Sequence, residues 1–288
     1  MRCKKARMRP TGRFLSLTVV LMASMLIVSV PARAANSAAA LGLLEAKSDY
    51  ASAVKKLAGP SQRGINARAG YEIAKIYEFC GVFWGPKTKA DWLSLYQKTV
   101  AANDPARGVR MALADRRYSQ CESLMQGPDI YKERSSWLVI AAEQGDLPAK
   151  LVLHQESGLA NANKSAFTSE LKLAMDSDDP LVVWELSRSL RLASLTWADL
   201  SKKPWPGKDL DGIRAVYQLA ACELGYPCGP GSTLIEGFCI RGTCTASSYQ
   251  TWLPSFLEPL QLKAVQAELP RVLKAIRKKR GATLIFKS

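Results

Sequence analysis

The residues of this 288-residue chain best able to do chemistry are its single histidine, its seven cysteines and a few short Asp, Ser–Lys and Trp motifs. The histidine lies in Lys150-Leu151-Val152-Leu153-His154-Gln155-Glu156, a helix-like setting. Any Ser–His–Asp or Cys–His device would have to use it, and no Gly-x-Ser-x-Gly elbow accompanies it. A packed or surface imidazole is the reading its neighbours support. Ser52-Ala53-Val54-Lys55 matches the Ser-x-x-Lys nucleophile pattern, but the companion Lys-Thr-Gly is missing and only Lys87-Thr88-Lys89 comes close. Aspartates gather at Asp176, Asp178 and Asp179 and at Asp209 and Asp211. General acid–base work needs such carboxylates across a cleft with divergent pKa values, which spacing alone does not supply. Asp178-Asp179-Pro180 instead has the form of a helix cap, a carboxylate facing the positive end of a helix. No catalytic residue, cofactor or metal is expected.

Four of the cysteines, Cys222, Cys228, Cys239 and Cys244, fall within 23 residues, separated by five, ten and four residues. Tetrahedral zinc sites favour a close Cys-x-x-Cys pair, which is absent. The Gly/Pro-rich turn Cys228-Gly229-Pro230-Gly231 has too little apolar surface to order itself, so the segment 222–244 is read as a disulfide-stapled loop. Four cysteines allow three pairings. The cross-tie, Cys222 with Cys239 and Cys228 with Cys244, is favoured because short rings would leave the Gly/Pro turn unanchored. Cys80 and Cys121 lie on the apolar stripes of two helical segments with one other between them, and make a third candidate bridge.

The two ends of the chain are basic. Residues 1–34 carry seven basic residues and no acid, with an apolar run over 14–30 and an Ala32-Arg33-Ala34 site. This is the pattern of a secretory signal cleaved before Ala35, with an uncleaved anchor as the alternative. Removing it leaves 33 basic against 25 acidic residues, and six cysteines, an even number suited to a periplasmic or secreted location. Residues 271–288 hold seven more cations and no acid, so the body between the ends is close to neutral. Nucleic acid is therefore not an expected partner. The basic tail could meet an anionic membrane surface, or it could complement the dipole of a final helix. Trp84 and Trp205 sit in Gly/Pro contexts and are candidate binding aromatics on loops.

The elements that must position these residues are helical. Ala69, Ile73, Ile76 and Cys80 share one helical face, as do Met111, Ala114, Tyr118, Cys121 and Met125. Trp92, Tyr96 and Val100 mark a helix between them. Further helices are predicted over 38–57, 136–145, 148–158, 165–175, 180–192 and 212–225, and one or two over 249–280. Pro270 is the first-turn proline of the last, which ends near Gly281. Strand signals are nearly absent, with Gly237-Phe238-Cys239-Ile240 at most a small extended piece.

Ala141-Ala142-Glu143-Gln144-Gly145-Asp146-Leu147-Pro148-Ala149 resembles the joint between helices in tetratricopeptide-like repeats, particularly the sel-one-like subclass. Weaker copies stand at Ala101-Ala102-Asn103-Asp104-Pro105-Ala106 and Ala174-Met175-Asp176-Ser177-Asp178-Asp179-Pro180-Leu181, with a possible fourth over 219–228. Their prolines are 43, 32 and 47 residues apart, against a family period of roughly 34–40. The resemblance implies an all-α fold of stacked antiparallel hairpins and contact with another protein. A single compact helical domain over 35–288 is the alternative. The function expected is a protein-binding or structural module of the cell envelope, whose partner is another envelope protein or peptide. A cell-wall hydrolase with an Asp/Glu site is the enzymatic alternative, and a membrane binder working through the tail is the third.

Overall fold

A computed structural model describes residues 49–59, 66–83, 85, 88–157, 163–196, 207 and 209–286. The 1–34 segment, Trp84 and Trp205 lie outside the described residues. Within them the chain forms only helices, with no strand. In order these are α1 (Tyr50–Ala58), α2 (Ala67–Gly81), α3 (Lys89–Thr99), α4 (Arg107–Met125), α5 (Ile130–Glu143) and α6 (Leu147–Glu156). There follow α7 (Lys164–Met175), α8 (Pro180–Thr196), α9 (Leu210–Glu223), α10 (Thr233–Ile240), α11 (Tyr249–Trp252) and α12 (Pro259–Arg277). Short 3₁₀ turns cover Leu253–Ser255 and Gly281–Leu284. Most starts are marked by a side chain that accepts from a first-turn N–H, as Asp49, Asn66, Asp129, Asn163 and Asp209 do. Such a cap satisfies a donor the helix cannot, and is worth about 1 kcal/mol.

Two apolar clusters make the core. The first joins α1, α2, α4 and α5 around Tyr71, Ile73, Tyr118 and Leu138; the second joins α7, α8, α9 and α12 around Phe167, Leu186, Tyr217 and Val272. Opposite faces of α6 serve both, with Val152 in the first cluster and Leu151 in the second. α2 packs closely on α5, where a Cβ added at Gly70 would stand 3.3 Å from the Cβ of Ala141. Small residues on both helices let the backbones close up there. By contrast α3 has no buried residue. It is held at its edge by Trp92, which packs edge-on to Phe83 at 4.8 Å, and by the Tyr96 hydroxyl, which donates to the Ile240 carbonyl at 2.6 Å.

The joint motifs do more than turn the chain. Asp146 caps α6 by accepting from Ala149 N at 2.9 Å, and Asp179 caps α8 by accepting from Leu181 N at 2.9 Å. Arg68 of α2 reaches both, 2.8 Å from Asp146 and 3.0 Å from Asp179, and so ties two successive joints to one helix. Glu72 lies one turn on from Arg68 and is 8% exposed. Burial raises its carboxyl to about 7, with Arg68 opposing and Asp146 adding to the rise.

Three disulfides are present: Cys80–Cys121, Cys222–Cys228 and Cys239–Cys244. The cross-tie among the last four is therefore incorrect. Gly225, at φ 108°, turns the chain back after α9 and brings Cys228 to a Cα distance of 5.5 Å from Cys222. Gly242, at φ 125°, does the same after α10 for Cys244 and Cys239. The Gly/Pro turn is anchored by other means: Tyr249 N donates to the Cys228 carbonyl at 2.9 Å, and Ser232 caps α10. The 237–240 segment is helical and not extended, because it completes the eight-residue α10 that this cap starts and the local ring follows. Pro270 is also corrected. It lies inside a continuous α12 whose first turn is taken by Pro259, and the helix ends at Arg277, with Lys279 at φ 54° in the turn-reversing position. Gly281 has a different task. A Cβ there would lie 1.8 Å from the Met175 carbonyl oxygen, so glycine lets the C-terminal turn close onto α7.

Peptide mapping of the unreduced chain should recover these three pairs and no cross-tie. By chain entropy, removing both cysteines of the 41-residue Cys80–Cys121 loop costs about 4 kcal/mol, and each short ring about 2 kcal/mol, read by urea denaturation. Glu72 predicts a pH dependence. The folded chain holds a proton that the unfolded chain has released between about pH 4.5 and 7, so stability falls as pH rises through that window. Glu72→Gln should exceed the parent in stability by on the order of 1–3 kcal/mol at pH 8, and the gap should close below pH 5.

Candidate functional site

Several helices present a second stripe that faces away from the core, and these stripes meet in one groove of about 830 Å³. From α2 come Lys75, Glu78 and Phe79, spaced three and four residues apart and so on one face. From α8 come Trp184, Arg188, Arg191 and Leu192, at the same helical spacing. Arg214 and Gln218 of α9, Gln155 and Glu156 of α6, and Arg117 of α4 line the groove further, and α10 closes one end with Leu234, Gly237 and Arg241. Ligand cavities run roughly 300–1,000 Å³, so this one has the size for a bound molecule or peptide segment. Its walls carry six cations against two carboxylates.

At the α2/α6 end every charge is paired. Glu185 of α8 has no exposure and accepts from the Tyr71 hydroxyl at 2.7 Å, with Lys75 Nζ at 3.4 Å. Lys75 also binds Glu78 at 3.0 Å, and Arg134 bridges Glu78 at 3.2 Å to Glu156. Burial by itself would raise Glu78, but Lys75 and Arg134 outweigh it and hold the carboxyl down at about 2. The same network raises Lys75 against its burial, through Glu185 and Glu78. Tyr71, buried and facing Glu185, is pushed well above the usual phenol range. The chain of contacts Tyr71–Glu185–Lys75–Glu78–Arg134–Glu156 ties each of its three carboxylates to a cation.

The α10 end is different. Arg117 is 7% exposed, lies 4.6 Å over the Phe79 ring and donates to the Thr233 carbonyl, but its Nε has no partner among the described residues. Burial lowers its pKa to about 10, the acid Glu236 failing to offset it and Arg241 adding repulsion. Arg214 is also lowered by burial, with Arg188 and Arg191 pushing in the same direction, and its Nε is likewise unpartnered. Arg241 stacks 5.3 Å over Phe238. The Trp184–Tyr226 pair, stacked at 4.2 Å with an interplanar angle of 1°, also lines the groove.

The residues first suspected of chemistry lie elsewhere. His154 is on α6, its Nε2 2.7 Å from Glu170 and its ring 4.7 Å from Phe167, and Ser157 beside it donates to the His154 carbonyl and not to the ring. Ser52 Oγ donates to Asp49 at 2.7 Å as part of the α1 cap, and Lys55 is exposed. Asp176 accepts from Ala282 N at 2.8 Å, Asp178 pairs with Lys279, and Asp179 is the α8 cap. Asp209 caps α9 and Asp211 meets Arg191 at 3.3 Å. The aspartate clusters thus disperse into caps and ion pairs. The groove arginines were missed because the body of the chain is neutral overall. The available signal was local: Arg188 and Arg191 are three residues apart on one helix, and Arg214 stands on the next, each helix having an apolar opposite face.

No family model matches the chain, and neither does any curated protein or solved structure.

Tyr71→Phe removes a neutral donor to the fully buried Glu185 carboxylate. It should cost about 1.5–3 kcal/mol of unfolding free energy in urea titration, the range for hydrogen bonds to charged groups.

Proposed function

We propose that this chain is an exported helical-repeat protein of the tetratricopeptide-like kind, acting as a binding module of the cell envelope. In this reading residues 1–34 are a signal cleaved before Ala35, and the helices stack as antiparallel hairpins. Another envelope protein or peptide is the partner, received in the groove. The observation that carries the reading is the groove itself: side chains from seven helices converge on a cavity lined by aromatic rings and by arginines without a carboxylate partner among the described residues. Three disulfides support an oxidising compartment, and among the described residues no helix is long and apolar enough to cross a membrane. Binding is preferred over hydrolysis because the two carboxylates in the groove, Glu78 and Glu156, both belong to Arg134. A hydrolase would need one of them protonated near neutral pH, and Glu78 is held at about 2.

A photo-crosslinking amino acid placed at Leu234, in the groove, tests this in an intact envelope. Leu173, 64% exposed on α7, provides the control position. A discrete adduct from Leu234 and none from Leu173 is the expected outcome. Equal yield from both, or none from Leu234, sinks the reading.

A further inference from the structure

Gly237 stands in the middle of α10 with its Cα facing the groove. A Cβ built there would lie 3.5 Å from Nη1 of Arg117 and 3.5 Å from Nη1 of Arg241, with Arg117 Nη2 at 3.7 Å. Two guanidinium groups, one from α4 and one from the C-cap of α10, therefore converge on one small space, their nearest nitrogens no more than about 7 Å apart. No carboxylate forms an ion pair with Arg117, Arg214 or Arg241 among the described residues; the nearby acid Glu236 is engaged by Arg116 at 2.6 Å. Like charges held this close in a partly desolvated wall repel each other, and an arginine cannot escape by losing its proton in this pH range. Burial is the main cause that lowers both Arg117 and Arg241; at Arg117 Glu236 opposes it and Arg241 adds a smaller push, and at Arg241 the added push comes from Arg214.

We propose that Arg117 and Arg241, facing each other across Gly237 with Arg214 on the same groove wall, form a binding site for a phosphoryl group. The charge count favours phosphate over carboxylate. A phosphate monoester carries about −1.5 to −2 at neutral pH and three acceptor oxygens, enough to answer two guanidinium groups approaching from different directions. A carboxylate is planar, carries one charge and is satisfied by a single fork. Arg117 is pre-oriented by its bond to the Thr233 carbonyl and its seat over Phe79, so little freedom is lost on binding. The absent side chain at position 237 is what leaves the space open. The site goes beyond the partner-binding reading and stands without it, since a small phosphate can enter whether or not a protein segment occupies the rest of the groove.

Isothermal titration of the purified, oxidised chain tests the site, with inorganic phosphate, a hexose 6-phosphate and acetate at constant ionic strength. Phosphate should bind at least tenfold more tightly than acetate. Tighter binding of the hexose phosphate would show that the phosphoryl group arrives on a sugar, whose ring meets the Trp184–Tyr226 pair; equal binding would show that free phosphate is the ligand. Gly237→Ala is the sharpest variant. Its methyl group meets its neighbours at ordinary contact distance and replaces glycine within a helix, so the melting temperature should hold or rise while phosphate affinity falls tenfold or more. Arg241→Gln, on an exposed side chain, should produce the same loss without depending on how the first variant packs. Arg277→Gln in the basic tail should change nothing. Phosphate and acetate binding alike, or both groove variants binding phosphate as the parent does, would overturn the proposal. Partner crosslinking from Leu234 is read separately, so either conclusion can fail alone.

Discussion

A carboxylate with no access to water imposes conditions on everything around it, and Glu185 is such a group. Removing its charge from solvent costs several kcal/mol unless donors and a counter-charge replace the lost water. Tyr71 and Lys75, both on α2, serve its Oε1, while Oε2 has no hydrogen-bond partner among the described residues and lies 4.0 Å from Arg188; the α2 contacts form only if α2 and α8 keep one register. Lys75 then draws in Glu78, and Glu78 draws Arg134 from α5, which in turn holds Glu156 at the end of α6. One buried charge thereby sets the relation of α2, α5, α6 and α8, and with it one wall of the groove. Arg68 performs a related service outside the groove, joining the caps of α6 and α8 to α2.

The opposite wall depends on α10, eight residues long and with little core of its own. Its position comes from contacts with the N-terminal half of the chain. The Ile240 carbonyl, near its C-terminus, accepts from Tyr96 at 2.6 Å and from Arg110 at 3.0 Å, which satisfies an acceptor the helix leaves open and places a cation at its negative end. Arg116 binds Glu236, and Arg117 binds the Thr233 carbonyl, so α4 grips α10 along its length. The two short disulfide rings on either side hold the approach and the exit of this helix. The C-terminal staple is thus part of the groove's construction, although none of its cysteines lines the groove.

The two ends of the groove differ in how their charge is settled. At one end acids and bases are matched within the chain, which rigidifies the wall and leaves it electrically quiet. At the other, a buried Arg117 and an exposed Arg241 have aromatic rings and a backbone carbonyl beside them but no carboxylate bound to them among the described residues. A fold can tolerate this because guanidinium is weakly hydrated and stacks on aromatic faces. The asymmetry gives the cavity a direction: a ligand with an anionic end and an apolar or ring-bearing remainder has one preferred way to lie in it.

Much of the secondary structure was legible in the amino-acid order, because helix periodicity and caps are local. The apolar spacing around Ile73, Cys80, Tyr118 and Cys121, and the Asp-Pro and Gly-Asp joints, act within a turn or two of the chain. The same locality explains the errors. The 237–240 segment is too short to show a helical period, and Pro270 and Gly281 carry the marks of a helix start and stop while one sits inside a helix and the other makes a close approach to Met175. Oxidised cysteines could be expected from their number, but their partners depended on which way the chain turns at Gly225 and Gly242. The groove was outside the reach of sequence reading. Composition reports a nearly neutral body because it averages over the chain, whereas a groove gathers the few side chains that seven helices direct at one space. Sequence alone settled that this chain is helical and where many of its helices begin; only the tertiary structure decided which charges face each other, because that depends on contacts between residues more than a hundred positions apart, such as Tyr71 with Glu185 and Arg117 with Thr233.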